Sequence, residues 1–366
     1  MGAQALDSNH TKPLHMTRRQ SLIALAGGIA GAVGPAVIGR AQPKGKGKVF
    51  IRTSGGSAEE GFRKAWYDPF TKETGIEVVS AVFDAAKVTA MVQTGNVAVD
   101  IGTFTAPQLT ILARKGVIEK LDRSKFKLTN LNDIDRVDDY WLSKSVYATV
   151  IGYNTEAFPN RHPTSWKEFW DVKTFPGRRM LQDASSEYPD LEAALLADGV
   201  PMNKLYPLDV DRAFAKLKEI RKSIAKWWNS GAVSAQMLSD RAVIVGSIWE
   251  SRITPLILAG APLAIEWNQN MRNLYGMAVV KGAPNRDAAY LLMDYGQSPK
   301  VQAAIVQEVR IAPPNRKAYD YIDDKIARTL STYPDHARRG FVNNSDWWVD
   351  NLERVAERWR EFLLEG

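Results

Sequence analysis

Cysteine is absent from the 366-residue chain. Its absence excludes disulfides, thiolate metal sites and a lipidated cysteine anchor, so the hydrophobic core alone must hold the fold. Histidine is scarce too: His10 and His15 sit near the start, and His162 and His336 stand alone in turn-like sequence. Neither of the latter has a ligand set beside it, which argues against catalytic zinc. There is no G-x-S-x-G elbow, H-E-x-x-H, P-loop or dinucleotide fingerprint. Carboxylate pairs such as Glu59 and Glu60 read as solvated charge on a helix face. These absences point away from an enzyme and from any cofactor. Past Lys48 there is no tandem repeat or low-complexity segment.

What is present begins with an export pattern. A polar start leads to Thr17-Arg18-Arg19-Gln20-Ser21-Leu22 and then to a glycine-dotted apolar stretch up to Ile38. The stretch is interrupted by Pro35 and falls short of the roughly 20 apolar residues a membrane span needs. Residues 1–41 therefore read as a twin-arginine signal peptide cut after Ala41, with Ser21 standing where that pattern often has Phe. Removing it takes four basic residues and Asp7 and lowers the net charge from +7 to +4. With no basic cluster longer than Lys44 to Lys48, nucleic acid is not an expected partner. The expected product is a monomer diffusing freely in the periplasm.

The remaining chain, about 325 residues, exceeds what one core usually supports and argues for two domains. Lys48 to Thr53 is a short β-branched strand, Ser54-Gly55-Gly56 a turn, and Ala58 to Thr74 an amphipathic helix that Pro69 should kink or end. Strands at 75–79 and 99–104 alternate with helices at 86–95 and 107–116, which predicts a parallel sheet covered by helices on both faces. A buried strand over 146–153 ends at Asn154, and the turn-rich Pro159 to Pro163 marks a junction. Beyond it the pattern predicts strands at 179–182, 242–249, 262–267 and 276–280. It places helices at 164–170, 211–223, 255–260, 286–296 and 346–364.

Several segments, weak singly but specific in order and spacing, carry a resemblance. They are Phe70 to Val78, Arg114 to Asp122, Ile151-Gly152-Tyr153-Asn154, Thr164-Ser165-Trp166 and Lys281-Gly282-Ala283-Pro284-Asn285. Together they resemble the periplasmic substrate-binding proteins of ABC importers, in the spermidine/putrescine-binding branch. The resemblance implies an α/β, two-lobed periplasmic binding protein fold of type II, hinged between the lobes. It implies lobe 1 from 48–150 plus 276–310 and lobe 2 from 151–275 plus 311–366, with chain crossings near Gly152, Gly276 and 313–315. It also implies a role: capturing a small polar solute (amino-acid-like zwitterion, carboxylate or polyamine) and delivering it to an inner-membrane permease. An extracytoplasmic enzyme or a chemoreceptor-presenting sensor on the same fold is the alternative.

Loops after parallel strands face such a cleft, which makes Ser54, Gly55, Gly56 and Thr105 candidate ligand contacts, the glycine turn offering backbone N–H groups to an anion. The resemblance adds Glu187, from an acidic cluster that grips ammonium groups, and Trp249, a tryptophan that stacks on the ligand. Arg252 falls on an arginine found in relatives that bind small amino acids, and a guanidinium forks onto a carboxylate. Tyr275 stands where that branch places an amine-holding aspartate. The loss makes polyamine a poor ligand and leaves Glu187 or Glu250 to meet any amine.

Overall fold

The computed structural model describes residues 47–365 apart from positions 54, 56, 186 and 187. The expected signal peptide lies outside the described residues, as do Ser54, Gly56 and Glu187.

Nine strands among the described residues form one sheet. They are β1 (Lys48–Thr53), β2 (Glu77–Val82), β3 (Ile101–Thr105), β4 (Leu142–Asn154), β5 (Arg179–Gln182), β6 (Ile224–Trp228), β7 (Val245–Trp249), β8 (Leu263–Val279) and β9 (Phe341–Val342). The order is β2-β1-β3-β8-β4-β7-β5-β6, with β9 beside β8. The two flanks are parallel, β1 with β2 and β3 and β5 with β6 and β7, and so is the short β9 beside β8. The two long central strands run antiparallel to each other and to β3 and β7. The sheet is therefore mixed, not the parallel one that alternation predicts. The strands expected at 262–267 and 276–280 are ends of one 17-residue strand, β8. Four residues, Trp267 to Asn270, bulge out of its pairing with β4, and Gln269 at φ 61° fixes the bulge by accepting the Trp166 backbone N–H at 2.9 Å.

Pro69 does not break the first helix. The chain is helical from Ser57 to Thr74, with a wide i→i+5 turn over Arg63–Tyr67 in which the Asp68 N–H reaches the Arg63 carbonyl. That turn lies just before the proline, where the missing N–H would otherwise leave a gap in the ladder. Gly75 then ends the helix at φ 77°, a conformation glycine adopts without a Cβ penalty.

Core residues group on either side of β4 and β8. On one side Trp66, Phe70, Tyr290 and Met293 pack on β1 and β3, and Leu109, Trp141 and Ala312 to Leu330 form a neighbouring group. On the other, Trp166, Phe169 and Phe214 gather with Trp348, Trp359 and Phe362, beside Trp228, Ile248 and Ile253. Residues 311–366, expected as one piece of the second lobe, are thus divided. Ala312 to Leu330 pack with the first half, because Ala312 bridges to Val146 and Asn315 to Ile134, whereas helix Ser345–Leu364 packs with the second.

Two buried acids sit in the second group. Asp190 accepts from the Gln182 N–H and the Ser247 hydroxyl, and burial lifts its pKa to about 6. Glu192 accepts from the Tyr206 hydroxyl at 2.5 Å and the Trp348 indole at 2.7 Å, and burial lifts it to about 7. A raised carboxylate favours the folded state below its unfolded pKa, and the benefit is lost as pH climbs through the folded value. Urea unfolding is therefore expected to show lower stability at pH 8 than at pH 5. Glu192→Gln, which keeps an acceptor for Tyr206 and Trp348, should narrow that difference by about 1–3 kcal/mol.

Candidate functional site

A cavity of about 230 Å³ opens where β1 and β3 meet the first half of β4 and the last third of β8. The first helix supplies Ala58, Glu59 and Phe62, and the strand ends supply Thr53, Gly55 and Thr103. From β4 come Lys144, Ser145 and Tyr147, and from β8 Tyr275; Arg252, in helix Glu250–Leu258, is the contribution from the other half of the sheet. The volume falls below the roughly 300 Å³ at which pockets for drug-sized molecules begin, which suits a ligand of few heavy atoms.

Lys144 is the least expected member. Ser143 pairs with Gly276 and Ser145 with Tyr275, so Lys144 is the extra residue of a β-bulge. A bulge re-aims the side chain it carries. Here it sends the ammonium to 3.2 Å from the centre of the Phe62 ring, with the rings of Tyr275 at 5.8 Å and Trp66 at 6.0 Å. The residue is 5% exposed, and no carboxylate or carbonyl of the described residues accepts a hydrogen bond from it. Burial drives its pKa down to about 7, opposed by the charge of Glu59 and assisted by that of Arg52. Glu59 lines the same cavity with its Oε1 buried and without a hydrogen-bond partner. Expected as solvated charge, it is so only at its neighbour Glu60, which is exposed.

Of the anticipated contacts, Gly55, Arg252 and Tyr275 line this cavity. Gly55 turns at φ 69°, but its N–H points back to the Thr53 hydroxyl at 3.2 Å and is not presented to a ligand. Tyr275 receives a hydrogen bond from Arg52 at 2.9 Å and donates to the Thr103 carbonyl at 3.2 Å. Arg252 is exposed and makes no hydrogen bond or ion pair to the described residues. Its helix starts at Glu250, five residues earlier than Pro255 suggested, so Arg252 occupies the first turn beside the positive helix end.

The others lie elsewhere. Glu250 is buried, its carboxylate taken by the Ala148 N–H at 2.6 Å and the Ser331 hydroxyl at 2.8 Å, and burial raises its pKa to about 7. An amine therefore finds no free oxygen there. Thr105 starts helix Ala106–Arg114, where its N–H and hydroxyl both reach Gln108 Oε1 at 3.3 Å, and it lines a separate cavity with Tyr188 and Trp348. Trp249 stands edge-on to Tyr147 (5.6 Å) and Trp228 (5.3 Å), behind the Tyr147 wall, with its indole N–H buried and unpartnered. Both remaining histidines are used in packing: His162 stacks on Tyr153 and pairs with Glu266, and His336 stacks on Trp267. Among the described residues no group of His, Asp or Glu is placed to hold a metal ion.

Comparison with known proteins agrees with this architecture. The model of the bacterial extracellular solute-binding protein family matches residues 65–333. The γ-aminobutyric acid-binding protein of Pseudomonas aeruginosa is 30% identical over 83% of this chain and 87% of its own. The spermidine/putrescine-binding periplasmic protein of Salmonella typhimurium is 25% identical over 82% and 87%. An ABC transporter substrate-binding protein from Bradyrhizobium japonicum superposes with a TM-score of 0.79 at 34% identity, covering 86% of this chain and 99% of that one. The fold is that of the two-lobed periplasmic binding proteins, and no helix among the described residues is long and apolar enough to cross a membrane. The chain belongs to the bacterial extracellular solute-binding protein family, whose members capture small polar solutes for ABC importers.

Proposed function

We propose that this chain is the periplasmic receptor of an ABC importer for a small solute held by its carboxylate, with Arg252 as the clamp. The observation that carries the reading is Arg252 itself: an unpartnered guanidinium in the first turn of a helix, facing a small cavity otherwise walled by the other half of the sheet. Guanidinium and carboxylate match in two parallel hydrogen bonds. The name of the 30%-identical γ-aminobutyric acid-binding relative agrees with such a ligand.

A polyamine fits less well. Tyr275 replaces the carboxylate that an amine needs, and its hydroxyl is engaged by Arg52 and Thr103, while the Lys144 ammonium lies 5.8 Å from its ring. The Arg252 guanidinium, joined by Lys144 whenever its amine is protonated, repels a diamine in the same cavity. Closure follows from the layout: the lobes divide as the cores do, β4 and β8 cross between them, and ligand bridging Arg252 to the first half favours the closed form that docks on the permease. Export by the twin-arginine route as a monomer completes the reading, and it suits a cysteine-free chain that needs no external oxidant to fold.

Thermal unfolding of ligand-stripped protein with γ-aminobutyrate, β-alanine, L-glutamate, succinate, putrescine and spermidine tests this. At 100 times Kd a true ligand adds about 2.7 kcal/mol. One or more of the carboxylates should raise Tm by several degrees and the two polyamines should not. A shift with polyamines alone, or with none of the six, would sink the reading.

A further inference from the structure

The cavity holds three ionic groups that the described protein leaves without a bonded partner, and their signs specify a ligand more narrowly than one carboxylate does. Lys144 places its amine on a bulge, 5% exposed, with aromatic faces around it and no described group accepting a hydrogen bond from it. Glu59 presents a buried, unpartnered Oε1 to the same space. Arg252 adds a positive charge from the other half. A buried ammonium without an acceptor is costly, and an anionic group arriving in the cavity offsets that cost, which points to an acid as the natural partner of this amine.

Resting on the carboxylate-receptor reading above, we infer that the solute is a small amino acid bearing a second acid group, of the glutamate or aspartate kind. Its ammonium pairs with Glu59 and one carboxylate with Lys144, while the other carboxylate reaches Arg252. Glu59 and Lys144 face the cavity from adjoining elements, the first helix and β4, and each lies within the other's electrostatic reach. They match an ammonium and a carboxylate carried on one carbon. Arg252, from helix Glu250–Leu258, takes the distal acid. A single-acid zwitterion such as γ-aminobutyrate satisfies Glu59 and one cation only, and a dicarboxylate without an amine leaves Glu59 unmet.

Calorimetric titration of the full mature protein, stripped of ligand by unfolding and refolding, tests this with L-glutamate, L-aspartate, γ-aminobutyrate and glutarate. L-Glutamate or L-aspartate is expected to bind about 10–100-fold more tightly than γ-aminobutyrate or glutarate, the worth of one charge-assisted hydrogen bond. Lys144→Met keeps the length and apolar stem of the side chain. It should weaken L-glutamate or L-aspartate by about 10–100-fold, and γ-aminobutyrate by clearly less, since the single carboxylate of that ligand goes to Arg252. Should γ-aminobutyrate bind the unaltered protein as tightly as the acidic amino acids, the carboxylate receptor stands and this inference falls. Equal weakening of every ligand by Lys144→Met overturns it as well. Failure of all four to bind, while succinate or β-alanine does, contradicts the inference alone, and failure of every carboxylate contradicts both.

Discussion

Arg252→Ala is expected to weaken binding of the tightest carboxylate ligand by about 100-fold while leaving the free protein's Tm nearly unchanged. The guanidinium makes no hydrogen bond within the described protein and its residue is exposed, so removing it costs the fold little, within about 0.5 kcal/mol. In the complex it accounts for a bidentate, charge-assisted contact of about 2–3 kcal/mol, which is one and a half to two decades of affinity. Arg252→Lys restores the charge but not the planar fork and should recover about one decade. Equal binding by wild type and the alanine variant, measured by calorimetry, would remove Arg252 from the site.

The largest effect on stability is expected at Arg179, the first residue of β5. Its side chain is fully buried and donates to the carbonyls of Phe169 at 2.9 Å, Gly177 at 2.6 Å and Phe175, with the guanidinium 5.6 Å from the centre of the Phe169 ring. Burial pulls its pKa down to about 10, and Asp171 resists the shift. One side chain thus closes the Phe175-Pro176-Gly177 turn onto the preceding helix. Arg179→Met fills a similar volume but leaves three carbonyls without their donor, and each buried group left unmet costs about 1–3 kcal/mol. The expected loss is about 3–5 kcal/mol, a fall in Tm of roughly 10 °C. Arg179→Lys should lose most of the same, because an ammonium cannot span three carbonyls from one position. A change under 1 kcal/mol for both in urea unfolding would show that the turn closes without it.

How far the sequence disclosed all this varies with the physical range of each signal. Local patterns were legible: β1, β5 and helix Arg286–Gly296 have the expected bounds, since alternation, glycine turns and caps are set within a few residues. The mixed sheet was not, because strand direction depends on pairings more than 100 residues apart, such as Thr105 with Tyr275. Arg252 and Tyr275 were reachable through their place in a family pattern, and both line the cavity. Lys144 was missed because β4 begins at Leu142, four residues before its β-branched run, and a bulge leaves no mark in side-chain alternation. Glu59 was set aside as surface charge for a sound general reason, yet its neighbour Glu60 alone obeys it. Glu250 differs in the opposite sense: an acid beside Trp249 looks like a site, but Ala148 and Ser331 claim both its oxygens.

A cavity that recognises a carboxylate must separate an acid from its amide. The most direct measurement compares γ-aminobutyric acid with 4-aminobutanamide by calorimetric titration of the ligand-stripped protein, two solutes that share a chain and an amine and differ only in whether the far end is an acid or an amide. The acid is expected to bind at least about 100-fold more tightly, the worth of the paired charge. Equal affinity for the two, or preference for the amide, would mean that the cavity does not recognise a carboxylate.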